Sequence, residues 1–316
     1  MQNFKPFSMS NTREKRDAVV KEVRKRDQEG RYLHLARCSQ QGQCIRWEEH
    51  VVERKIGWKE LWEWERARTS FLIRSTYDAM PTPANLVRWR IEDTEKCICG
   101  KKGTLRHILS NCTLALERYT WRHNQILEVI GSLLQEKIKC FNDGDLPKVE
   151  TIRKMAFQKE GTSGMLKSHL RSSKRDERWS GKWKVMTDLG ELLVFPVVQT
   201  GQRPDIIVWC EEKKECIIME LTVPWEENFG AAEERKATRY EELIRECEEG
   251  GWKTEYYHLG IGARGYVERK VVNLFRHRFC CTNAEIRKFV NSLQETAERT
   301  SFWIWMKRED RTWLRN

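Results

Sequence analysis

Between residues 11 and 29 the chain reads NTREKRDAVVKEVRKRDQE, where Ala18, Val19 and Val23 are a thin apolar stripe in a field of alternating charge. That pattern predicts an exposed helix, because a helix facing a core needs a broader apolar face. From Trp47 to Tyr77 the spacing again predicts helix, with Trp58, Leu61, Trp62 and Trp64 as the burying positions, and Pro81 and Pro83 end the segment. A further helical stretch runs from Leu114 to Lys139. After Trp183 the texture changes. LLVFPVV, DIIVW and CIIMELTV are short apolar runs parted by glycine and charged turns, as strands buried on both faces read. GAAEERKATRYEELIRECEEGG reads as a helix closed by Gly250 and Gly251, YYHLGIG as another strand, and VERKVVNLFRHRF and NAEIRKFVNSLQETAERT as two more helices. The order predicts an α+β protein: a helical N-terminal region, then a small mixed α/β domain over residues 183–300.

Composition adds a partner class to this outline. Hydrophobic residues make up 39% of the 316 and tryptophans number 14, enough for a sizeable core. The chain carries 58 Lys+Arg against 47 Asp+Glu, a net charge of +11 that favours polyanionic partners through counterion release. Residues 151–184 concentrate it, with ten Lys or Arg against three acids, a local charge of +7 that reads as a basic linker able to contact DNA. The 11 cysteines are odd in number and mostly scattered, and the N-terminus lacks an apolar signal core, which points to a reducing intracellular setting. No apolar run approaches the roughly 20 residues of a membrane helix, so no membrane partner is expected.

Two constellations carry chemistry. CICGKKGTLRHILSNC sets Cys97, Cys99, His107 and Cys112 in a C-x1-C-x7-H-x4-C spacing. Two cysteines on a tight glycine-containing knuckle supply one edge of a zinc tetrahedron, and His107 and Cys112, about one helical turn apart, supply the other. Four protein ligands leave no open position, so such a Zn2+ is structural. A looser set, His34, Cys38, Cys44 and His50, lacks turn residues beyond Gly42 and reads as coincidental.

In RPDIIVWCEEKKECIIMELTVPW, Asp205 follows a proline and Glu220 closes an apolar run. Acids on adjacent strands can meet at one edge of a sheet and hold Mg2+, which takes carboxylate and water oxygens. Either acid alone is more often a turn or surface residue. Metal-dependent nucleases of this pattern place a lysine two residues past the second acid, and here that residue is Thr222. On the following helix Lys236, Tyr240, Leu243 and Cys247 share a face that should pack on the sheet, so Lys236 can bring its ammonium to the acids from the helix. The plainer alternative is a lysine extending from a packed face into water. Arg203, beside the site, reads equally as a phosphate contact or a surface arginine. Trp121 and His123 either contact a base or pack, and His258 sits in or beside a strand.

The succession TPANLVRW, CICGKKGTLRHILSNC, RYTWRHNQIL, RPDIIVW, ELTVPWEEN and ERKATRYEEL resembles the C-terminal region of non-LTR retrotransposon polyproteins that carry a restriction-like endonuclease. The resemblance covers roughly residues 60–280. It implies a Cys-Cys-His-Cys zinc knuckle followed by a PD-(D/E)xK restriction-endonuclease-like fold with its lysine displaced to the helix. By position, the knuckle ligands fall on Cys97, Cys99, His107 and Cys112, the acids on Asp205 and Glu220, and the lysine on Lys236 with Tyr240 nearby. The family nicks target DNA so that the new 3′ hydroxyl primes reverse transcription of the element RNA. The chain departs from the family in having no Tyr-x-Asp-Asp polymerase motif, which implies no reverse transcriptase activity of its own.

These readings give the following expectations. Residues 1–80 form a helical basic segment, 81–125 the zinc knuckle and its flanks, 126–182 a helical and basic linker, 183–300 the endonuclease domain and 301–316 a tail. The function is Mg2+-dependent nicking of DNA in the nucleus, with element RNA and a reverse transcriptase supplied in trans as further partners. Two alternatives stand beside it: a zinc-containing nucleic-acid-binding protein without catalysis, and an inactive relic of a transposable element.

Overall fold

The computed structural model describes residues 11–145, 148–151, 172–175, 177–190 and 195–310. They fall into two compact units, one running to Leu105 and one beginning at Arg106. The chain is α+β, with many helices and a four-stranded mixed sheet. Among the described residues no helix is long and apolar enough to cross a membrane.

The first unit is helical. Helix α1 (Thr12–Arg37) starts at a capping box in which Asn11 and Glu14 satisfy each other's backbone N–H, and it buries none of its residues, as its thin apolar stripe requires. After the short α2 (Ile45–Glu48) the expected helix over 47–77 is broken into α3 (Trp58–Glu63) and α4 (Arg66–Thr76). Trp58 and Trp62 are exposed, contrary to expectation, while Leu61 and Trp64 are half-buried. A six-residue helix presents less than two turns, too little to place all three tryptophans against one surface. Helix α5 (Pro83–Arg88) follows the rule for helix starts, with Thr82 as N-cap and Pro83 in the first turn. The buried Asn85 side chain donates to the carbonyls of Asp78 and Met80 at 2.8 and 2.9 Å, tying the preceding turn to the helix.

In the second unit α6 (Leu116–Asn142) leads into a two-stranded antiparallel ribbon, β1 (Lys148–Thr151) with β2 (Ser172–Arg175). Most of the basic stretch 151–184 lies outside the described residues, but its end does not. Trp179 and Trp183 are fully buried, and Trp179 stacks on Phe141 of α6 at 4.5 Å and meets Phe279 at 5.2 Å. This end of the expected linker therefore belongs to the core.

The main sheet has the order β3-β4-β5-β6, from β3 (Trp183–Thr187), β4 (Ile206–Cys210), β5 (Glu215–Thr222) and β6 (Lys253–Gly260). The first three strands are antiparallel and β6 is parallel to β5, with α7 (Phe229–Glu249) as the crossover. Of the expected strand LLVFPVV, residues 192–194 lie outside the described residues and Phe195–Val198 is not a strand, while WKVMT supplies β3 in its place. Pro196 has no N–H to give a ladder.

Strands β4 and β5 are buried almost throughout because both faces are covered. Ile207, Trp209, Cys216 and Ile218 meet Tyr240, Leu243 and Cys247 of α7. The alternate positions, Ile206, Val208, Ile217 and Met219, are completely buried on the opposite side, where α6 packs on β3 and β5 and against α9 (Asn283–Met306). Gly251 ends α7 with φ of +79°, a conformation that favours glycine and turns the chain into β6. Helix α8 (Arg269–His277) follows β6, and α9 continues to Met306 with Phe302, Ile304 and Trp305 buried, so residues 301–306 are core helix and not tail.

Candidate functional site

Asp205 immediately precedes β4 and Glu220 lies on β5, where Ile206 pairs with Met219, so the two acids sit one step along the same antiparallel ladder. Side chains alternate across a strand, and Asp205 and Glu220 keep the parity of Ile207 and Ile218, the positions that face α7. The Asp205 backbone N–H donates to Glu220 Oε2 at 3.2 Å, and the Leu221 backbone N–H donates to Asp205 Oδ2 at 2.8 Å. The carboxylates are thus aligned by the strand backbones as well as by packing.

Lys236 projects from the second turn of α7 and donates to Glu220 Oε1. One turn further along, Tyr240 is buried and its hydroxyl donates to the Arg203 carbonyl at 2.9 Å, which fixes the approach to Pro204 and Asp205. The structure thus brings Asp205, Glu220, Lys236 and Tyr240 together. Arg203 contributes its backbone to that group, while its half-exposed guanidinium pairs with Asp188 at 2.5 Å. Burial, then the charge of Asp205, holds the Glu220 carboxyl above its ordinary range, with Lys236 and Tyr240 opposing. Burial and Glu220 push the Tyr240 hydroxyl up, so it remains a donor.

His123 is a member of this group that strand-based reading could not place. It lies on α6, and its Nε2 is 3.2 Å from Asp205 Oδ2, with Nδ1 3.3 Å from Asn124 Oδ1. Burial pulls its pKa down, but the hydrogen bond and charge of Asp205 outweigh that and hold it above the ordinary histidine value. Only the RHN stretch of the helix hinted at it; the meeting of α6 with the start of β4 is a tertiary fact. Thr222, two residues past Glu220 where the nuclease pattern places a lysine, instead meets His258 Nε2 through its hydroxyl at 2.7 Å. His258 pairs with Glu220 in the β5/β6 register, and its Nδ1 faces Glu268 Oε2 at 3.7 Å, beyond hydrogen-bond reach. Burial lowers His258 to about 4 and raises Glu268 to about 7.

The cysteine-histidine set forms a second, local constellation. Cys97 receives the Gly100 N–H at its carbonyl and donates its own N–H to Lys101 at 2.8 Å, a knuckle whose Gly100 has φ of +83°. His107 begins a π-helical turn, His107–Asn111. The i to i+5 bonding of such a turn aligns residues five apart, which is the separation of His107 from Cys112. The Tyr119 hydroxyl braces the turn, donating to the Ile108 carbonyl at 2.7 Å and accepting from the Cys112 N–H at 3.0 Å. The three sulfurs and one ring nitrogen lie within 4.8 Å of one another, so this Cys3His group can bind a metal such as zinc. A tetrahedral shell needs ligand separations of about 3.5–3.8 Å, so closure requires movements of about 1 Å at most. His34, Cys38, Cys44 and His50 form no such group among the described residues.

Comparison with family models and with curated proteins returned no match for the sequence.

Proposed function

We propose that the chain is a Mg2+-dependent DNA endonuclease of the restriction-like kind found in non-LTR retrotransposons, with a structural zinc knuckle and a nuclear site of action. The observation that carries the reading is the convergence of Asp205, Glu220 and Lys236, two acids from adjacent strands and a cation from the crossover helix. An antiparallel hairpin followed by a helical crossover to a parallel strand sets the two acids and the helix that carries Lys236 on one face of the sheet.

The donor set fits Mg2+. Two carboxylates plus water and substrate oxygens meet its preference, and a cation between them would relieve the burial and repulsion that hold Glu220 up. When bound, the ion polarises the scissile phosphate and lowers the pKa of water. Asp205 and Glu220 would be its protein ligands. Lys236 stabilises the negative charge that gathers on the phosphoryl oxygens, and Tyr240, by holding the Arg203 carbonyl, keeps Asp205 in register. His123 orients Asp205 Oδ2 from the α6 side and adds positive charge toward the phosphate when protonated.

The test is supercoiled-plasmid nicking by the zinc-loaded chain in Mg2+, beside Asp205→Ala and Lys236→Ala. The parent should nick, Asp205→Ala should abolish nicking, and Lys236→Ala should reduce it by about 100-fold or more. A parent that folds, binds zinc and leaves plasmid intact would sink the catalytic reading. One observation favours a non-catalytic DNA-binding reading: Glu220 already holds Lys236 as an ion-pair partner. Salt-sensitive DNA binding without nicking would decide for it.

A further inference from the structure

Beside the acid pair the second unit carries two adjoining clefts. One, of ≈ 420 Å³, is lined by Arg106, Ser110, Asn111, Thr222, Asn228 and Arg235 among others. The second, of ≈ 280 Å³, shares Ser110 and Val223 with it and reaches His123, whose ring is bonded to Asp205. The two clefts therefore form a path from His123, the residue bonded to Asp205, past Val223 to Arg106 and Arg235.

Its polar lining is of one kind. Arg106 and Arg235 are both exposed, and among the described residues neither is paired with a carboxylate, whereas Arg203, Lys236 and Arg264 are. Asn228 stands at the N-terminal boundary of α7 without a side-chain cap bond, at the end of the helix that carries positive partial charge. No acid lines either cleft. A pocket with cations held open to solvent, amide and hydroxyl donors and no acid suits an anion with several oxygens, and its extension to His123, which is bonded to Asp205, sets that anion beside the acid pair on one polymer.

We infer that this path is a phosphate track, in which Arg106 and Arg235 each hold a backbone phosphate of the DNA strand flanking the scissile bond. The inference rests on the nuclease reading and names how that site takes its substrate. Backbone contacts fix register and carry no sequence information, so the track should act alike on any DNA sequence.

The experiment measures binding of a short fluorescein-labelled DNA duplex to the full zinc-loaded chain by anisotropy at several salt concentrations, in an Asp205→Ala background that leaves the probe intact. Each phosphate contact contributes about 0.9 to the slope of log affinity against log salt. Arg106→Ala and Arg235→Ala should each flatten the slope by about 1, and the pair by about 2, equally on two unrelated sequences. The exposed pair Arg287 and Lys288 on α9, outside both clefts, serves as control and should leave the slope unchanged when replaced by alanine. An unchanged slope in the Arg106/Arg235 variants would overturn the track, as would equal flattening in the control, which would trace the effect to net charge alone. Because binding is read without cleavage, a parent chain that fails to nick removes the catalytic reading while this measurement still judges the track.

Discussion

Glu268→Gln offers a sharp test of the electrostatics around the sheet end. Glu268 sits buried at the start of α8, where a side chain at Gly260 would collide with its carboxylate, and its pKa is raised by burial from 4.5 to about 7. A carboxyl whose folded pKa is raised stabilises the fold fully below its unfolded value and loses that stabilisation as pH rises through the folded value. The window is therefore from about 4.5 to about 7. At ~1.4 kcal/mol per pH unit, the parent loses about 3 kcal/mol from this group across the window. Glutamine keeps the shape and never ionises. Urea unfolding of both proteins at intervals from pH 4.5 to 8 should show the variant gaining on the parent by about 3 kcal/mol, with the difference level above pH 7.5. His258 contributes with the opposite sign, since its pKa is lowered by burial to about 4 and its contribution grows as pH rises toward 6.5. His258 Nδ1 lies 3.7 Å from Glu268 Oε2, so the two groups titrate as a coupled pair and the rise of the difference between pH 4.5 and 7 carries the test. A pH-independent difference, or a parent that gains on the variant as pH rises, would refute the reasoning.

His123→Ala should be most destabilising at low pH. The raised His123 pKa means that its link to Asp205 stabilises the fold fully below the ordinary 6.5 and fades as pH rises beyond it, so the penalty in urea unfolding should shrink between pH 6 and 9. Tyr240→Phe should cost about 1 kcal/mol through the lost bond to the Arg203 carbonyl and slow nicking without changing zinc content. Cys99→Ser should lower zinc stoichiometry, measured by atomic absorption, and broaden the thermal transition, while Cys210→Ser should leave zinc content unchanged. Leu243→Ala, at a fully buried position between α7 and the sheet, should cost about 2–5 kcal/mol, and a neutral result would contradict the packing that positions Lys236.

The elements legible in the sequence were those whose pattern answers to one cause. Lys236, Tyr240, Leu243 and Cys247 share a helical face because one surface, the sheet, covers it; DIIVW and CIIMEL read as buried strands because both their faces are covered. WKVMT was obscured because β3 is a boundary strand with alternating exposure, set within a basic stretch. Trp58 and Trp62 misled because large apolar side chains imply burial only when a partner surface exists. Within the candidate site, Asp205, Glu220 and Lys236 could be read from proline, strand end and helix phase. His123 could not, since nothing local tells a helix which strand end it will meet. The π-helical turn lay between these cases: the separation of His107 and Cys112 was visible, while the wider turn that aligns them was not.

The site's members are tied by contacts of very different reach along the chain. Asp205 and Glu220 are joined across 15 residues and Glu220 and Lys236 across 16, whereas His123 reaches Asp205 across 82. Closing a hairpin and its crossover helix is early, low-entropy work, but seating α6 on the sheet waits for a long loop to close. A refolding chain would thus assemble its acids and ammonium before the histidine arrives, and competence would be acquired in two steps, the second timed by the docking of one helix.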